Sequence, residues 1–514
     1  MNFDKNNIIF SSSVIFFTLP LWWDDHFSWV FNIVGLTIFL ISSEYFLRNE
    51  LFRNYFVFSV SFFAVWVLLS TYYLFETLYI NADIGLALSV FLVGIAIVLM
   101  LLPYIFMVIV SYLLRRYSTY IRLTAAFCAW MTIDFLTQNY NYSLSTLKLN
   151  YFYIDSPFSV YFPIGGGLLV SAVVLFTAML LANCNRYTIS VLVMVIFITL
   201  LASDRNYTEY QKKAPLKVSV VQTGENLNSI KTRDIEFPNN ILSLLNQVPL
   251  DADLVVLPEV LSNQIIYNFP KSFFIRLREW SMERDSDLIF GAFNNSDNET
   301  GIPVVSAFYV TSEELRTFSD DEPLWRLSNY YYGKQALIPF AETSPGILKH
   351  FDNAFDNSSL SKSYFKHTVW DVKGYLVSPS ICYDFYFPNV VNKNGIESNL
   401  LLNIGSQTWL AGTQGPEVLH NFSRVRALEN ASPVLRVDTF GISELIDEKG
   451  RVVFQLPEGK SMVKSFELQY ATGATPYARY SDYPLIALLI ANAIGVLFYS
   501  SVKRFRQSDS QYSI

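Results

Sequence analysis

Three residues of complementary chemistry stand at the ends of apolar runs. Glu259 closes the run DADLVVLPE, Lys334 sits in YYYGKQALIPFAE, and Cys382 follows YLVSPSI. A carboxylate, an ammonium and a thiol are the parts of nucleophilic acyl transfer. The thiolate is the reactive form of cysteine, so a base must take its proton, and Glu259 has the right chemistry for that. Lys334 would then stabilise the tetrahedral oxyanion, helped by a backbone N–H beyond the cysteine such as that of Tyr383; losing one such donor typically costs about 10²–10³ in rate. Each residue alone has a plainer reading: a turn carboxylate, a surface lysine, a small buried thiol. Their joint placement at strand ends is what argues for chemistry.

Other chemistries find less support. Cys128, Cys184 and Cys382 cannot build a disulfide framework. The four histidines, His26, His350, His367 and His420, form no metal-ligand spacing, so a zinc site is not expected. No G-x-S-x-G accompanies a Ser-His-Asp set, and His420 on a helical run reads as a surface or satisfied core residue. A net charge of -7 gives no footprint for nucleic acid.

The elements that must position the three residues divide the chain. Between Pro215 and Tyr470, short β-branched runs alternate with helical ones: Lys217–Gln222, Leu254–Leu257, Leu288–Phe293, Val304–Val310, Gly374–Ile381 and Asn399–Ile404 as strands, and Glu417–Ala431 as a helix. That alternation predicts an α/β layered domain. The rest is apolar. Only 16% of residues are charged, against about a quarter in soluble domains. Seven runs suited to a bilayer of about 30 Å precede the domain, near Ile8–Trp23, Ser28–Leu47, Tyr55–Leu78, Ile84–Leu113, Arg122–Gln138, Gly165–Leu181 and Thr188–Leu201, and Pro484–Val502 follows it. Arginines and lysines cluster in alternate connections (Arg48 and Arg53; Arg115, Arg116 and Arg122; Arg186; Lys503, Arg504 and Arg506). The positive-inside rule then puts both termini in the cytoplasm and the α/β domain outside. The expected organisation is a helical membrane domain over residues 1–210, a catalytic domain over 211–475, and a last membrane helix with a short tail over 476–514.

On these motifs the chain resembles the nitrilase superfamily, and within it the apolipoprotein N-acyltransferases. LPE at Leu257–Glu259, Gly333-Lys334 and ICYD at Ile381–Asp384 match the family's Glu, Lys, Cys order. Glu342 in LIPFAE is similar to its second glutamate, and Arg424–Glu429, Ser432-Pro433, Asp447–Arg451 and Thr472–Pro484 resemble its later signatures. The resemblance implies an α-helical membrane bundle plus a nitrilase-like four-layer α-β-β-α sandwich, in a monomer of a bacterial inner membrane with its catalytic domain in the periplasm. It implies that Cys382 takes an acyl chain from a phospholipid as a thioester and passes it to the amine of diacylglyceryl-cysteine at a lipoprotein N-terminus. Glu259 is then the base, Lys334 the oxyanion stabiliser, Glu342 its partner, and Tyr383 and Asp384 occupy the family's Tyr-Glu pair. In the stretch Ser406–Ala411 Trp409 alone matches well, as a substrate contact. The chain departs from the family at Asp384, one methylene shorter than the usual glutamate, which puts its hydrogen-bond reach in question. It also lacks the tryptophan expected in Asn226–Arg233 and the membrane-loop motif expected in Asn139–Lys148.

Two alternatives remain at this stage: a membrane-tethered amidase or an acyltransferase with another acceptor, and an inactive scaffold that binds lipidated proteins. Aromatic stretches at Tyr267–Trp280, Phe351–Trp370 and Phe385–Phe387 are candidates for arms that dip into lipid or for ordinary packing. Asp134, near the outer end of the fifth run, is expected at the interface, and Cys128 and Cys184 are expected to be inert.

Overall fold

The computed structural model describes residues 3–19, 27–49, 51–82, 85–139, 148–225, 233–295, 302–318, 330–338, 342, 360–363, 369–395 and 398–509. The apolar N-terminal runs are helices: α1 (Phe3–Thr18), α2 (Ser28–Asn49), α3 (Phe52–Ser70), a short α4 (Tyr72–Glu76) continued by a π turn at Thr77–Asn81, α5 (Leu86–Leu113), α6 (Thr119–Asn139), α7 (Phe162–Ala182) and α8 (Arg186–Ser203). Among the described residues, five helices are long and apolar enough to cross a membrane: α2, α3, α5, α7 with its preceding turn, and α8. The run expected over Tyr55–Leu78 ends earlier, because Thr71 leaves helical geometry and α4 starts anew. α6 carries Arg122 and Asp134 and still packs as a helix. Arg122 is buried and pairs with Glu44 of α2 while donating to the Arg115 and Tyr117 carbonyls. Asp134 is buried rather than exposed as its position in the run suggests, because α6 is covered by α5, α7 and the C-terminal helix α15 (Tyr483–Asp509).

α7 is broken near its start. Gly165 and Gly166 leave helical geometry, and Gly166 has φ +67°. A side chain there would collide with the Tyr477 ring, so both conformation and space demand glycine.

The remaining elements build the α/β domain: strands β1 (Glu209–Tyr210), β2 (Leu216–Gln222), β3 (Leu254–Val256), β4 (Asp287–Asn294), β5 (Val304–Val310), β6 (Tyr330–Gly333), β7 (Trp370–Val372), β8 (Tyr375–Ile381), β9 (Leu400–Gly405), β10 (Val434–Asp438), β11 (Glu444–Ile446), β12 (Val452–Gln455), β13 (Met462–Leu468) and β14 (Ala471–Thr472), with helices α9 (Arg233–Leu245), α10 (Lys271–Met282), α11 (Ser312–Thr317), α12 (Pro388–Gly395), α13 (Gly415–Asn430) and α14 (Pro476–Tyr480). They form two six-stranded sheets, ordered β13-β2-β3-β4-β5-β6 and β12-β11-β10-β9-β8-β7. Each has three parallel strands at its centre, β2-β3-β4 and β8-β9-β10, flanked by antiparallel ones.

Strand periodicity sorts the side chains into layers. Val218, Val220, Leu254, Val256 and Ile289 of one sheet meet Val377, Leu400, Leu402, Ile404 and Val437 of the other in an apolar central core. The alternate residues Val221, Val255, Leu288 and Phe290 point outward, packing with Leu245 of α9 and with Phe273 and Leu277 of α10. On the opposite face Leu401, Val434 and Ile446 pack with Ala427 of α13. The result is a four-layer α-β-β-α sandwich. Phe269, Phe273, Phe274 and Trp280 belong to these layers, and Phe385–Phe387 is also buried, so neither stretch is a lipid-dipping arm. Phe351–Trp370 lies largely outside the described residues.

Candidate active site

In sheets of this kind ligands bind beyond the carboxyl ends of the parallel strands. Glu259 lies just past β3, Cys382 directly past β8, Gly405 ends β9 and Asp438 ends β10. β6 runs in the same sense as β4, because both pair antiparallel to β5. Its end therefore delivers Lys334 to the same rim. The Glu259 amide donates to the Gly405 carbonyl at 3.4 Å, joining the rims of the two sheets.

Lys334 is fully buried. Its Nζ donates to Glu259 Oε1 at 2.9 Å and to Glu342 Oε1 at 2.6 Å. Glu342 is fixed in turn by the Ile338 amide, which donates to Oε2 at 2.9 Å. Burial pushes the Glu259 carboxyl up to about 7; Lys334 opposes that rise and Glu342 adds to it. Burial works against the Lys334 ammonium, but Glu259 and Glu342 outweigh it and hold it firmly protonated. The Cys382 thiol is pushed well up by burial and the Glu259 charge, with Lys334 opposing. At neutral pH it is a thiol that needs a base, and a carboxyl poised near 7 is a suitable one.

Cys382 has φ +47°, a left-handed backbone that costs a non-glycine residue about 1–2 kcal/mol. Such strain persists where surroundings over-determine it, and it concentrates at functional sites. Here β8 turns sharply into a 3-10 turn over Cys382–Tyr386. Asn403 holds that corner from β9, its amide donating to the Cys382 carbonyl at 3.2 Å and to Ser380 Oγ at 3.1 Å.

Asp384 resolves the question of reach. Its Oδ1 accepts from the Gln335 and Ala336 amides at 3.1 and 2.7 Å, and its Oδ2 from the Tyr332 hydroxyl at 2.7 Å and the Ile381 amide at 3.1 Å. The shorter side chain suffices because the Lys334 strand and the Cys382 turn lie close together. Asp384 therefore stitches the residues after Lys334 to the residue before Cys382. Burial pushes its carboxyl up to about 6 against the pull of these donors.

Tyr383 is buried beside the thiol and stacks on Tyr386, with ring centroids 5.3 Å apart. Trp409 is not brought into the cluster. It is 54% exposed on a 3-10 turn beyond β9, where its carbonyl accepts from Asn81 of the membrane bundle at 2.8 Å. His420 is a core residue, its Nδ1 2.6 Å from Glu444. Among the described residues no group of acidic, histidine and cysteine side chains is arranged to hold a metal.

Sequence reasoning missed several supports. Asp438 is fully buried beside the site and accepts from the Gln407, Phe440 and Gly441 amides at 2.9, 3.1 and 2.8 Å. It ends an apolar strand as Glu259 and Cys382 follow theirs, so the same signal marks it. Gly291, inside β4, lets the Glu259 backbone lie against it; a Cβ there would fall 1.8 Å from the Glu259 carbonyl oxygen. A glycine within a strand is a recognised sign of close backbone approach.

A four-layer sandwich with a buried Glu-Lys-Cys constellation at its rim, carried beside apolar helices, is an enzyme of the nitrilase type. Residues 218–477 match the family model described as carbon-nitrogen hydrolase, which covers half of the chain, and the chain belongs to that family. Among curated proteins it is similar to the apolipoprotein N-acyltransferase of Vibrio parahaemolyticus, 27% identical over 71% of this chain and 72% of the relative. It is likewise similar to that of Pseudomonas aeruginosa, 26% identical over 73% of both. Among solved structures it is similar to Saccharomyces cerevisiae Nit3, with 18% identity, 51% of this chain and 93% of that chain covered, and a TM-score of 0.38.

Proposed function

We propose that this chain transfers a fatty acyl chain from a phospholipid to the N-terminal amine of a diacylglyceryl-cysteine lipoprotein, through a thioester on Cys382. The observation that carries the reading is the buried Lys334 bridge between Glu259 and Glu342, set on the same strand-end rim as the strained Cys382 turn. The names of the curated relatives support the choice of substrates.

In the first half-reaction Glu259 takes the Cys382 proton as the sulfur attacks the ester carbonyl carbon. The carbonyl oxygen becomes an oxyanion facing the Lys334 ammonium. Collapse breaks the ester C–O bond, and the leaving alkoxide of the lysophospholipid takes the proton back from Glu259. In the second, the lipoprotein amine attacks the thioester carbon and gives its proton to Glu259. The second oxyanion again meets Lys334, the C–S bond breaks, and the thiolate recovers its proton. Glu342 shares the Lys334 charge and fixes the ammonium, and Asp384 sets the spacing of Lys334 and Cys382. Trp409 contacts substrate from the exposed turn. No metal or cofactor enters the scheme.

Both substrates are lipids, which explains a catalytic domain resting on membrane helices. The arginine-rich connections support an inner-membrane protein with the α/β domain on the periplasmic side. Its units are the helical part over 1–210, the catalytic part over 211–475 and the last helix over 476–514.

The test is intact-protein mass after incubation with phospholipid in detergent. The expected result is one acyl-sized adduct, absent in Cys382→Ala and discharged by a diacylglyceryl-cysteine peptide with N-acylation of that peptide. An adduct that turns over to free fatty acid without an acceptor would favour hydrolysis instead, and no adduct at all would reject the scheme.

A further inference from the structure

The nucleophile turn is held from two sides. From within the domain Asp384 grips it through four hydrogen bonds. From the membrane bundle it is held at its other end, Tyr386. The Tyr386 hydroxyl donates to the Thr137 carbonyl of α6 at 3.0 Å. The Nζ of Lys148, in the connection between α6 and α7, lies 3.7 Å from the centroid of the Tyr386 ring and 3.5 Å from the Tyr386 carbonyl oxygen. Tyr151 and Phe422 close the cage, with centroids 5.7 and 6.0 Å from the same nitrogen. Tyr386 in turn stacks on Tyr383, the residue after Cys382.

An ammonium in this buried seam is expensive. Lys148 is 4% exposed, and taking a charge out of water costs several kcal/mol before compensation. A methionine or leucine would fill the space without that cost. What the charge adds is attraction to the electron-rich face of one particular ring, stronger where water is excluded. Burial draws the Lys148 ammonium well below its ordinary range, and Arg426 of α13 adds to the pull, so the carboxylates around it and the ring beneath it are what favour the charged form. Glu429 of α13, Asp134 of α6 and Asp482, just before α15, oppose that pull. The ring that receives the charge belongs to the last residue of a turn whose first residue is Cys382, and the φ of +47° at Cys382 needs constraint at both ends.

We propose that Lys148 is a positioning residue for Cys382, acting through Tyr386, so that the membrane bundle completes the scaffold of the nucleophile. The inference rests on Cys382 being the acyl-carrying residue. It makes alignment of the thiol depend on the seam between membrane helices and catalytic domain, on a residue outside the catalytic domain itself.

The experiment uses the full chain in detergent and follows formation of the Cys382 acyl adduct against phospholipid concentration for wild type, Lys148→Met, Lys148→Arg and Tyr386→Phe. Misplacing reacting groups by about 1 Å costs on the order of 10²-fold. Lys148→Met is therefore expected to lower the maximal acylation rate about 10–10²-fold with the half-saturating phospholipid concentration unchanged. Lys148→Arg is expected to recover most of the rate, because a guanidinium keeps a cation over the ring. Tyr386→Phe removes the hydroxyl tie to Thr137 and is expected to lower the rate as well. A wild-type rate in Lys148→Met, or equal losses in Lys148→Met and Lys148→Arg, would overturn the proposal. If Lys148→Met does not reach the membrane folded, Lys148→Gln, which also lacks the cation, takes its place, and a wild-type rate there overturns the proposal. Absence of an adduct in the wild type itself would sink the acyl-transfer reading beneath it; a normal wild-type adduct beside an unaffected Lys148→Met sinks this inference alone.

Discussion

Replacing Asp384 with asparagine separates geometry from stability. Four donors converge on this carboxylate, two on each oxygen. Asparagine offers one oxygen and one NH2 group. With the oxygen kept toward the Gln335 and Ala336 amides, the NH2 faces Tyr332 and Ile381. The Tyr332 hydroxyl can turn and accept, but the Ile381 amide then meets another donor. A buried donor left without an acceptor costs about 1–3 kcal/mol. Against this stands a gain. The Asp384 carboxyl titrates near 6 in the fold, above its ordinary range, chiefly because it is buried. Keeping it ionised at pH 7 therefore costs the folded state on the order of 3 kcal/mol, which asparagine removes. The two nearly cancel, so thermal unfolding in detergent is expected to move little at pH 7. The broken bond lies at Ile381, one residue before Cys382, so the maximal rate of the proposed Cys382 acylation should fall about 10–10²-fold. The glutamate variant should not rescue it, because an added methylene in this fully buried site costs about 1–3 kcal/mol of overpacking. Unchanged acylation in Asp384→Asn, or a full rescue by Asp384→Glu, would refute the assignment of Asp384 as the stitch between Lys334 and Cys382.

Glu259→Gln should lower Cys382 acylation about 10²–10⁴-fold, while Lys334 keeps Glu342 and the protein remains folded by circular dichroism. In the wild type the acylation rate should rise with pH through about 7 as Glu259 ionises, and a flat profile between pH 6 and 8 would exclude it as the base. Stability carries the opposite sign: a carboxyl raised on folding favours the fold at low pH, and its contribution is lost as pH rises through about 7. Gly291→Ala should displace the Glu259 backbone, destabilise the domain by about 1–3 kcal/mol and reduce acylation; denaturant melts and adduct formation measure both. Cys382→Gly should be more stable than Cys382→Ala by about 1 kcal/mol, the reverse of the usual order, because only glycine adopts φ +47° without strain.

The sequence made Glu259, Lys334 and Cys382 legible because each follows an apolar run, and alternation alone separates inner from outer faces of a strand. The membrane helices were equally legible where hydropathy is uniform, as in α5. α6 is less so by composition, since Arg122 and Asp134 dilute it, yet the fold accommodates both in the bundle. What local pattern cannot convey is distance across the fold. Asp384 was doubted for one methylene because nothing in its own segment tells how near the Lys334 strand lies. Its reach depends on β6 and β8 sitting in different sheets whose rims converge. The break in α7 was written in Gly165-Gly166-Gly167, but its cause, the Tyr477 ring, lies some 310 positions downstream in the chain.

β1 and β14 form a ladder of two rungs, pairing Glu209 with Thr472 and Tyr210 with Ala471. The polypeptide thus leaves α8 and returns toward α15 through a single narrow stem, and both six-stranded sheets lie between its two strands in sequence. A load hung on one stem would swivel. Its orientation is therefore set by contacts placed away from the stem, among them the Arg424–Asp155 ion pair and the Tyr386–Thr137 bond. An excursion that starts and finishes at one spot is also one that a gene can exchange whole, provided that the newcomer brings matching contacts for the surface it lands on.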